Sequence, residues 1–142
     1  MTVHLVKLNV GAESVDDVAG WVKRRVEKNS RGPFGPVHDH VTRMFPKRVA
    51  ELLDGGSMYW VIKGVILARQ RIVGLEPCLC EDGIERCAIL MAPELVLTEA
   101  QPRRAFQGWR YLRAEDAPRD VKGGARREPP ALRAKLAELG LL

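Results

Sequence analysis

The stretch from Ser57 to Val73 constrains the fold of this chain more than any other segment. It is dense in β-branched and aromatic residues, which favour strands over helices and surface loops. The same stretch carries side chains that stack on bases or pair with phosphates: Tyr59, Trp60, Lys63, Arg69, Gln70 and Arg71. Residues 103–111 form a second cluster of aromatic and basic side chains. Aromatics interleaved with cations on strands are typical of nucleic-acid-binding surfaces. The segment therefore predicts a sheet and favours a nucleic-acid partner.

Composition narrows the class of protein further. The chain has 142 residues, of which 46% are hydrophobic, and this is enough for a core and excludes global disorder. A formal net charge of +5 makes this a basic protein and favours acidic partners such as RNA, DNA or anionic ligands. The sequence contains no signal peptide and no run of about 20 apolar residues that could span a bilayer. A cytoplasmic protein without a membrane partner is expected.

The order of local signals predicts an α+β fold. An alternating first strand is followed by a helix that Ser14 caps and that runs to about Lys28. After a breaker-rich loop and a short helix at Pro46, strands follow from Met58 to Leu112 without intervening helices. That order favours a small, mostly antiparallel curled sheet or barrel with flanking helices, and not a doubly wound parallel sheet.

The chain is expected to form one domain with an appended tail. Residues 1–118 carry the strand and helix signals and are assigned to a single globular α+β domain. Residues 119–142 are assigned to a basic flexible segment and a short C-terminal helix that Pro130 opens.

Four motifs support a family resemblance: residues 43–48 (RMFPKR), 52–64 (LLDGGSMYWVIKG), 68–71 (ARQR) and 106–112 (FQGWRYL). They closely resemble a bacterial family catalogued as domain of unknown function 1489, over the chain to about Ala117. This resemblance implies no activity. At the level of fold, a helix ending in Leu-Asp-Gly-Gly before a Tyr-Trp-Val-Ile-Lys-Gly strand is also similar to PUA-like barrels, including ASC-1 homology and EVE domains. Such barrels bind RNA or modified bases in a cleft beside the barrel, so this similarity implies a ligand cleft by analogy alone.

Seven side chains are the expected ligand-binding residues: Tyr59, Lys63, Arg69, Arg71, Gln107, Trp109 and Arg110. Three further cations are expected to hold phosphate: Arg43, Lys47 and Arg48. An exposed Tyr59 or Trp109 ring would stack a base, which is worth roughly 1–3 kcal/mol, and the Gln107 amide would hydrogen-bond to a base edge. A binding site of this kind requires Tyr59, Arg69 and Gln107 to surround one concave surface. The expected partner is RNA or a nucleotide-like ligand.

Structural roles are the alternatives for the same side chains. The Tyr59 and Trp109 rings could pack at the rim of the core, and Trp60 is better explained as a core anchor. The paired arginines could form salt bridges with Glu76 or Glu85 on a solvated face.

A small metal-dependent enzyme is the alternative from another class. If Asp82-Gly83 forms a two-residue hairpin turn, Cys78 faces Cys87 and Cys80 lies on the same face. Three thiols could hold a soft metal together with the segment His38-Asp39-His40, but no fourth cysteine-like ligand is near. Cytosolic cysteines are more often small buried hydrophobes. No catalytic residue, cofactor or metal is therefore expected, and a protein-interaction module is the third possibility.

Overall fold

The computed structural model describes residues 1–79 and 82–121. Its elements in chain order are β1 (Val3–Leu8), α1 (Val15–Asn29), β2 (His38–Thr42), α2 (Val49–Leu52), β3 (Ser57–Ile62), β4 (Val65–Leu79), β5 (Glu85–Met91), β6 (Val96–Pro102), β7 (Trp109–Arg113) and a 3-10 turn (Ala114–Asp116). The α+β class predicted from the sequence is confirmed. In the part of the chain that is described, no helix is long and apolar enough to cross a membrane.

The seven strands form one curled sheet with two free ends. Its order is β2-β5-β4-β3-β1-β7, and β6 pairs with β4 beside this path. Among the described strand pairs, β1 with β3 is parallel and the others are antiparallel. Because β2 and β7 end the path without pairing with each other, the described strands do not close into a barrel. The predicted curled sheet is thus confirmed, whereas the PUA-like barrel is not.

The curl originates in β4, which changes partners along its length. Its first half pairs with β3 and β6, and its second half pairs with β5. The register shifts between Ile72 and Gly74, which marks a bulge. A Cβ atom at Gly74 would lie 3.2 Å from Leu90 Cδ1, so glycine leaves room for this side chain at the bend. The bend carries β5 and β2 around towards the other end of the sheet.

The turn that precedes β5 differs from the sequence prediction. Pro77 faces Cys87 and Cys78 faces Arg86, so the predicted pairing of Cys78 with Cys87 was wrong by one residue. A two-residue type I′ turn needs positive φ at both central residues, and Asp82 does not have it. Instead, the Asp82 carboxylate accepts a hydrogen bond from the Ile84 amide at 3.0 Å and forms a local side-chain turn. A shift of one residue moves the two thiols to opposite faces of the sheet. Cys80 lies outside the described residues.

The inner face of the curled sheet holds the largest part of the core. The fully or nearly buried side chains on this face include Leu5, Met58, Trp60, Ile72, Ile89 and Met91. Helix α1 covers one end of the curl, where Val18 and Val22 pack against Ile62 and neighbouring apolar residues. The predicted cap of this helix is confirmed, because the Ser14 hydroxyl accepts a hydrogen bond from the backbone amide three residues later.

The described part of the predicted tail lies against β6. The Glu99 amide donates to the Arg119 carbonyl at 2.7 Å, and the Val121 amide donates to the Leu97 carbonyl at 3.0 Å. The predicted C-terminal helix lies outside the described residues, and the division at residue 118 stays a prediction.

Candidate functional site

The two free ends of the sheet lie side by side and leave a seam, defined here as the opening between β2 and β7. The segment that follows β2 links the two ends through side chains of β7. The Trp109 Nε1–H donates to the Met44 carbonyl at 3.1 Å. The Tyr111 hydroxyl accepts hydrogen bonds from the backbone amides of Lys47 and Arg48 at 2.9 and 3.2 Å. These contacts hold β2 near β7 without strand pairing, so the interior of the curl stays accessible at this point.

Two neighbouring cavities lie at the seam, and they are called here the outer and inner lobes of one cleft because they share lining residues. The outer lobe has a volume of about 310 Å³, and its lining includes Arg43, Gln107, Trp109 and Arg110. The inner lobe has a volume of about 240 Å³, and its lining includes Trp21, His38 and Trp60. The two lobes share Lys7 and His40 as a common wall. The described lining of both lobes contains no aspartate or glutamate, so the cleft is basic.

Lys7 occupies the centre of this cleft because of its place in the sheet. Its register partners are Trp60 on β3 and Trp109 on β7, which places the lysine between two tryptophans on the inner face. Among the described residues, the Lys7 ammonium has no hydrogen bond and no ion pair. Burial lowers the pKa of this group. A lysine without a counterion, beside a cavity, is suited to an anionic ligand.

The strand alternation of β2 brings His38 and His40 to the inner face, opposite Met91 and Ile89. His38 is fixed by Gln70, which is fully buried. Gln70 donates through Nε2 to the Ala92 carbonyl at 3.0 Å, which identifies Oε1 as its acceptor. That oxygen accepts from Trp60 Nε1 and also contacts His38 Nδ1, both at 2.9 Å.

These bonds determine the tautomer of His38. Because Gln70 Oε1 can only accept, Nδ1 of His38 carries the proton. Burial lowers the pKa of His38, so the ring is neutral at pH 7. Nε2 of His38 therefore carries a lone pair.

His40 is the less constrained histidine of the cleft. Its ring meets the Trp60 ring edge-on, with 5.6 Å between centroids, and it has no hydrogen-bond partner among the described residues. Burial, followed by the positive charge of Lys7, lowers the pKa of His40 to about 4. The ring is therefore neutral at pH 7, with one N–H donor and one acceptor to offer.

The residue between the two histidines points away from the cleft. Asp39 accepts two hydrogen bonds from the Arg25 guanidinium, at 2.5 and 3.0 Å, and one from Asn29 at 2.7 Å. The hydrogen bonds from Arg25 lower the pKa of Asp39 to about 2. This carboxylate stabilises the packing of α1 on β2 and is not a neighbour of the cleft.

The metal-enzyme alternative finds no support in the described residues. They contain no group of three or more histidine, cysteine or acidic side chains that could hold a metal ion. Cys87 is buried, and burial raises the pKa of its thiol to about 11, so the thiol stays protonated at pH 7. Asp39 and the two histidines face opposite sides of β2, so this triplet does not converge on one point.

Four of the ten predicted site residues line the cleft: Arg43, Gln107, Trp109 and Arg110. Lys47 and Arg48 lie next to it, on the segment that crosses the seam. Arg48 pairs with Glu51, and its guanidinium lies 5.3 Å from the centroid of the Tyr111 ring. The predicted phosphate-binding residues are thus near the mouth of the cleft.

The other four predicted site residues lie elsewhere. Tyr59 is only 5% exposed and packs edge-on against His4, with 5.0 Å between centroids. Arg69 donates two hydrogen bonds of 2.7 Å to Asp120, which is the ion-pair partner in place of the expected glutamates. The structure therefore does not bring Tyr59, Arg69 and Gln107 around one surface. On a strand, residues 59 and 69 face away from residues 60 and 70, and the sequence did not reveal which face was concave.

Lys63 and Arg71 are also remote from the cleft. Lys63 occupies the hairpin turn between β3 and β4 with φ 50°, and its ammonium pairs with Glu13. Arg71 is exposed opposite Ser57 on the neighbouring strand.

The sequence did not indicate that Lys7 and Trp21 line a cleft, and it placed His40 only in the alternative of a metal-dependent enzyme. The signal for Lys7 was present, because it continues the buried series Val3 and Leu5 on one face of β1. A lysine at a core-facing position indicates either a buried ion pair or a binding site.

Comparison with protein families identifies the chain. The family model described as "Protein of unknown function (DUF1489)" matches residues 5–142, so the chain belongs to this family. Comparisons with curated proteins and with solved structures found no match.

Proposed function

We propose that this member of the DUF1489 family binds RNA or another nucleobase-containing anionic ligand in the cleft at the seam. The observation that carries the proposal is the composition of the cleft. Cationic side chains and tryptophan rings line it together, and its described lining has no carboxylate. A cavity beside a sheet, with a few convergent polar groups, is the usual form of a ligand site.

The cations are placed to hold phosphate. Arg43 and Arg110 are exposed at the outer lobe, and Lys7 lies deeper. Arg110 uses one terminal nitrogen, Nη1, for the carbonyls of Gln107 and Trp109 at 2.9 and 3.2 Å. These bonds orient the guanidinium, and its other nitrogens are left for a phosphate oxygen.

The ring of Trp109 is oriented for stacking. Its N–H bond to Met44 and its edge contact with Tyr111, at 4.9 Å between centroids, fix the plane of the indole. The side chain is only partly buried, so one part of the ring borders the outer lobe. A base stacked on this ring would gain roughly 1–3 kcal/mol. The exposed Gln107 amide lies in the same lobe and would hydrogen-bond to the base edge.

A fluorescence titration tests this proposal. Short single-stranded RNA, single-stranded DNA and free nucleotides are added to the full chain at low salt, and the Trp signal is followed. Trp109→Ala should weaken binding by about 5- to 140-fold, which corresponds to the loss of one base stack. Arg43→Ala should weaken it about tenfold and should reduce the salt dependence of the affinity.

Arg71→Ala is the matched control, because it removes an exposed arginine that is outside the cleft. It should leave the affinity within about twofold. Equal losses for Arg43→Ala and Arg71→Ala, or no binding of any nucleotide at low salt, would contradict the proposal.

A further inference from the structure

We infer that the cleft is built for two consecutive nucleotides: each lobe takes one base, and Lys7 with His40 holds the phosphodiester between them. This inference rests on the proposed function. It states how many nucleotides of the ligand bind and which part of the ligand lies in each lobe. Three features of the two lobes support it: their size, their aromatic walls and the groups that separate them.

The size of the lobes excludes a large ligand in either one alone. Sites for drug-sized ligands usually enclose about 300–1,000 Å³. The outer lobe, at about 310 Å³, is at the lower limit, and the inner lobe, at about 240 Å³, is below it. Each lobe therefore suits one ring system, and a longer ligand must occupy both.

Each lobe has its own tryptophan. Trp109 lines the outer lobe, as described above. Trp21 of α1 lines the inner lobe and is 39% exposed, although the helix buries Val18 and Val22 on the same side of the molecule. Trp60 forms part of the inner wall, but its N–H is committed to Gln70 and its ring meets His40. Trp21 is thus the inner aromatic side chain with surface to offer to a second base.

The two side chains between the lobes, Lys7 and His40, are suited to bind a group with one negative charge and several acceptor oxygens. Lys7 brings one positive charge that no described carboxylate neutralises. His40 is neutral and brings one N–H donor without a partner among the described residues. Both belong to the wall that the two lobes share. A phosphodiester placed there would receive a charge-assisted hydrogen bond and a neutral one, with its two nucleosides directed to opposite sides.

Three ligands that differ in one feature each provide the test. Binding of the full chain is measured for a nucleoside monophosphate, for the dinucleoside monophosphate of the same base, and for the dinucleoside methylphosphonate, whose linkage is neutral. The dinucleoside monophosphate should bind at least about fivefold more tightly than the mononucleotide, because a second base stacks. The methylphosphonate keeps both bases but offers no negative charge to Lys7, so it should bind several-fold more weakly than the dinucleoside monophosphate.

The affinities of variants in the shared wall and in the inner lobe should support the same assignment as the three ligands. Lys7→Met keeps the length and the apolar stem of the side chain, so it removes the charge with little change in packing. It should abolish the preference for the charged linkage. Trp21→Ala should weaken the dinucleotide and leave the mononucleotide unchanged. Lys63→Met, which removes a lysine remote from the cleft, should change neither ligand.

The outcomes separate this inference from the function on which it rests. If mononucleotide and dinucleotide bind equally and both need Trp109, the two-nucleotide site is wrong while the proposed function stands. If the methylphosphonate binds as tightly as the charged ligand, Lys7 and His40 do not hold the linkage and the inference is overturned. If no nucleotide binds, both proposals fail together.

Discussion

Acidification from pH 7 to pH 5 should destabilise the folded chain through His40. In the unfolded chain, a histidine has a pKa near 6.5. In the folded chain, burial, then the charge of Lys7 and, once His38 is protonated, the charge of that ring lower the pKa of His40 to about 4, against a smaller opposite effect of Asp39. The unfolded chain therefore binds a proton that the folded chain does not. The stabilisation is fully present above pH 6.5 and is lost as the pH falls towards 4.

The expected loss follows from these two pKa values. Between pH 7 and pH 5, proton uptake by the unfolded chain at this one site should lower the free energy of unfolding by about 1.8 kcal/mol. His4 and His38 also have lowered pKa values because of burial, so they add to the loss in the same direction. Asp39, with a pKa of about 2, contributes only below pH 3.8 and does not obscure the effect.

Urea unfolding of the wild type and of His40→Gln at the two pH values measures the share of His40. The glutamine cannot titrate, so the variant should lose about 1.8 kcal/mol less than the wild type between pH 7 and pH 5. Equal losses in the two proteins would refute the reasoning. They would show that His40 titrates as an exposed histidine and that the wall between the two lobes is open to water.

Three further substitutions test other parts of the structure by their urea midpoints. Gln70→Leu leaves the buried Trp60 N–H and the part-buried His38 Nδ1 and Ala92 carbonyl without their partner, and it should lower the free energy of unfolding by about 2–4 kcal/mol. A loss below about 1 kcal/mol would show that these three hydrogen bonds contribute little to stability. Gly56→Ala would place a Cβ atom 2.4 Å from two carbonyl oxygens and should cost at least about 1–3 kcal/mol, whereas Gly20→Ala inside α1 should stabilise by about 0.5–1 kcal/mol. Arg69→Ala should cost about 1 kcal/mol, because its ion pair with Asp120 is partly exposed, and should leave nucleotide affinity unchanged. A loss of nucleotide affinity in Arg69→Ala would show that Arg69 contributes to binding and would contradict its place outside the site.

Local signals made the secondary structure predictable. The Ser14 cap fixes the start of α1 as predicted, whereas Gly64, which the sequence alone left open between a tight turn and a bulge, lies with Lys63 in the hairpin turn that joins β3 to β4. In both places the residues that determine the backbone conformation are neighbours in the chain, so the local sequence is enough to explain it.

The pairing register of the strands and the face that each side chain occupies were less predictable, because the alternative arrangements differ little in free energy. At the turn before β5, one hydrogen bond of the Asp82 carboxylate selects a longer turn and separates Cys78 from Cys87. On β3, Tyr59 and Trp60 face opposite ways because side chains alternate along a strand, but only the curl of the sheet decides which of the two faces encloses a cleft. The Tyr59 and Trp60 side chains are both buried, so neither their residue type nor their burial indicates which of them lies beside the cleft.

The cleft itself depends on contacts between distant parts of the chain. Trp109 reaches Met44 across 65 residues, and this contact positions β7 beside β2. The cluster around Trp109 was identified from the sequence, and so was the basic motif at Arg43. That the Trp109 cluster and the Arg43 motif lie in one cleft with Lys7 follows only from the strand order of the sheet.

The central claim, that ligand binds at the seam, is tested most directly by amide chemical shifts. A short oligoribonucleotide is titrated into the isotope-labelled full chain, and the perturbed backbone amides are assigned. The cleft predicts the largest shifts at Lys7, His40, Arg43 and Gly108. Shifts centred on Tyr59 and Arg69, on the opposite face of β3 and β4, would contradict it, as would a titration that perturbs no amide.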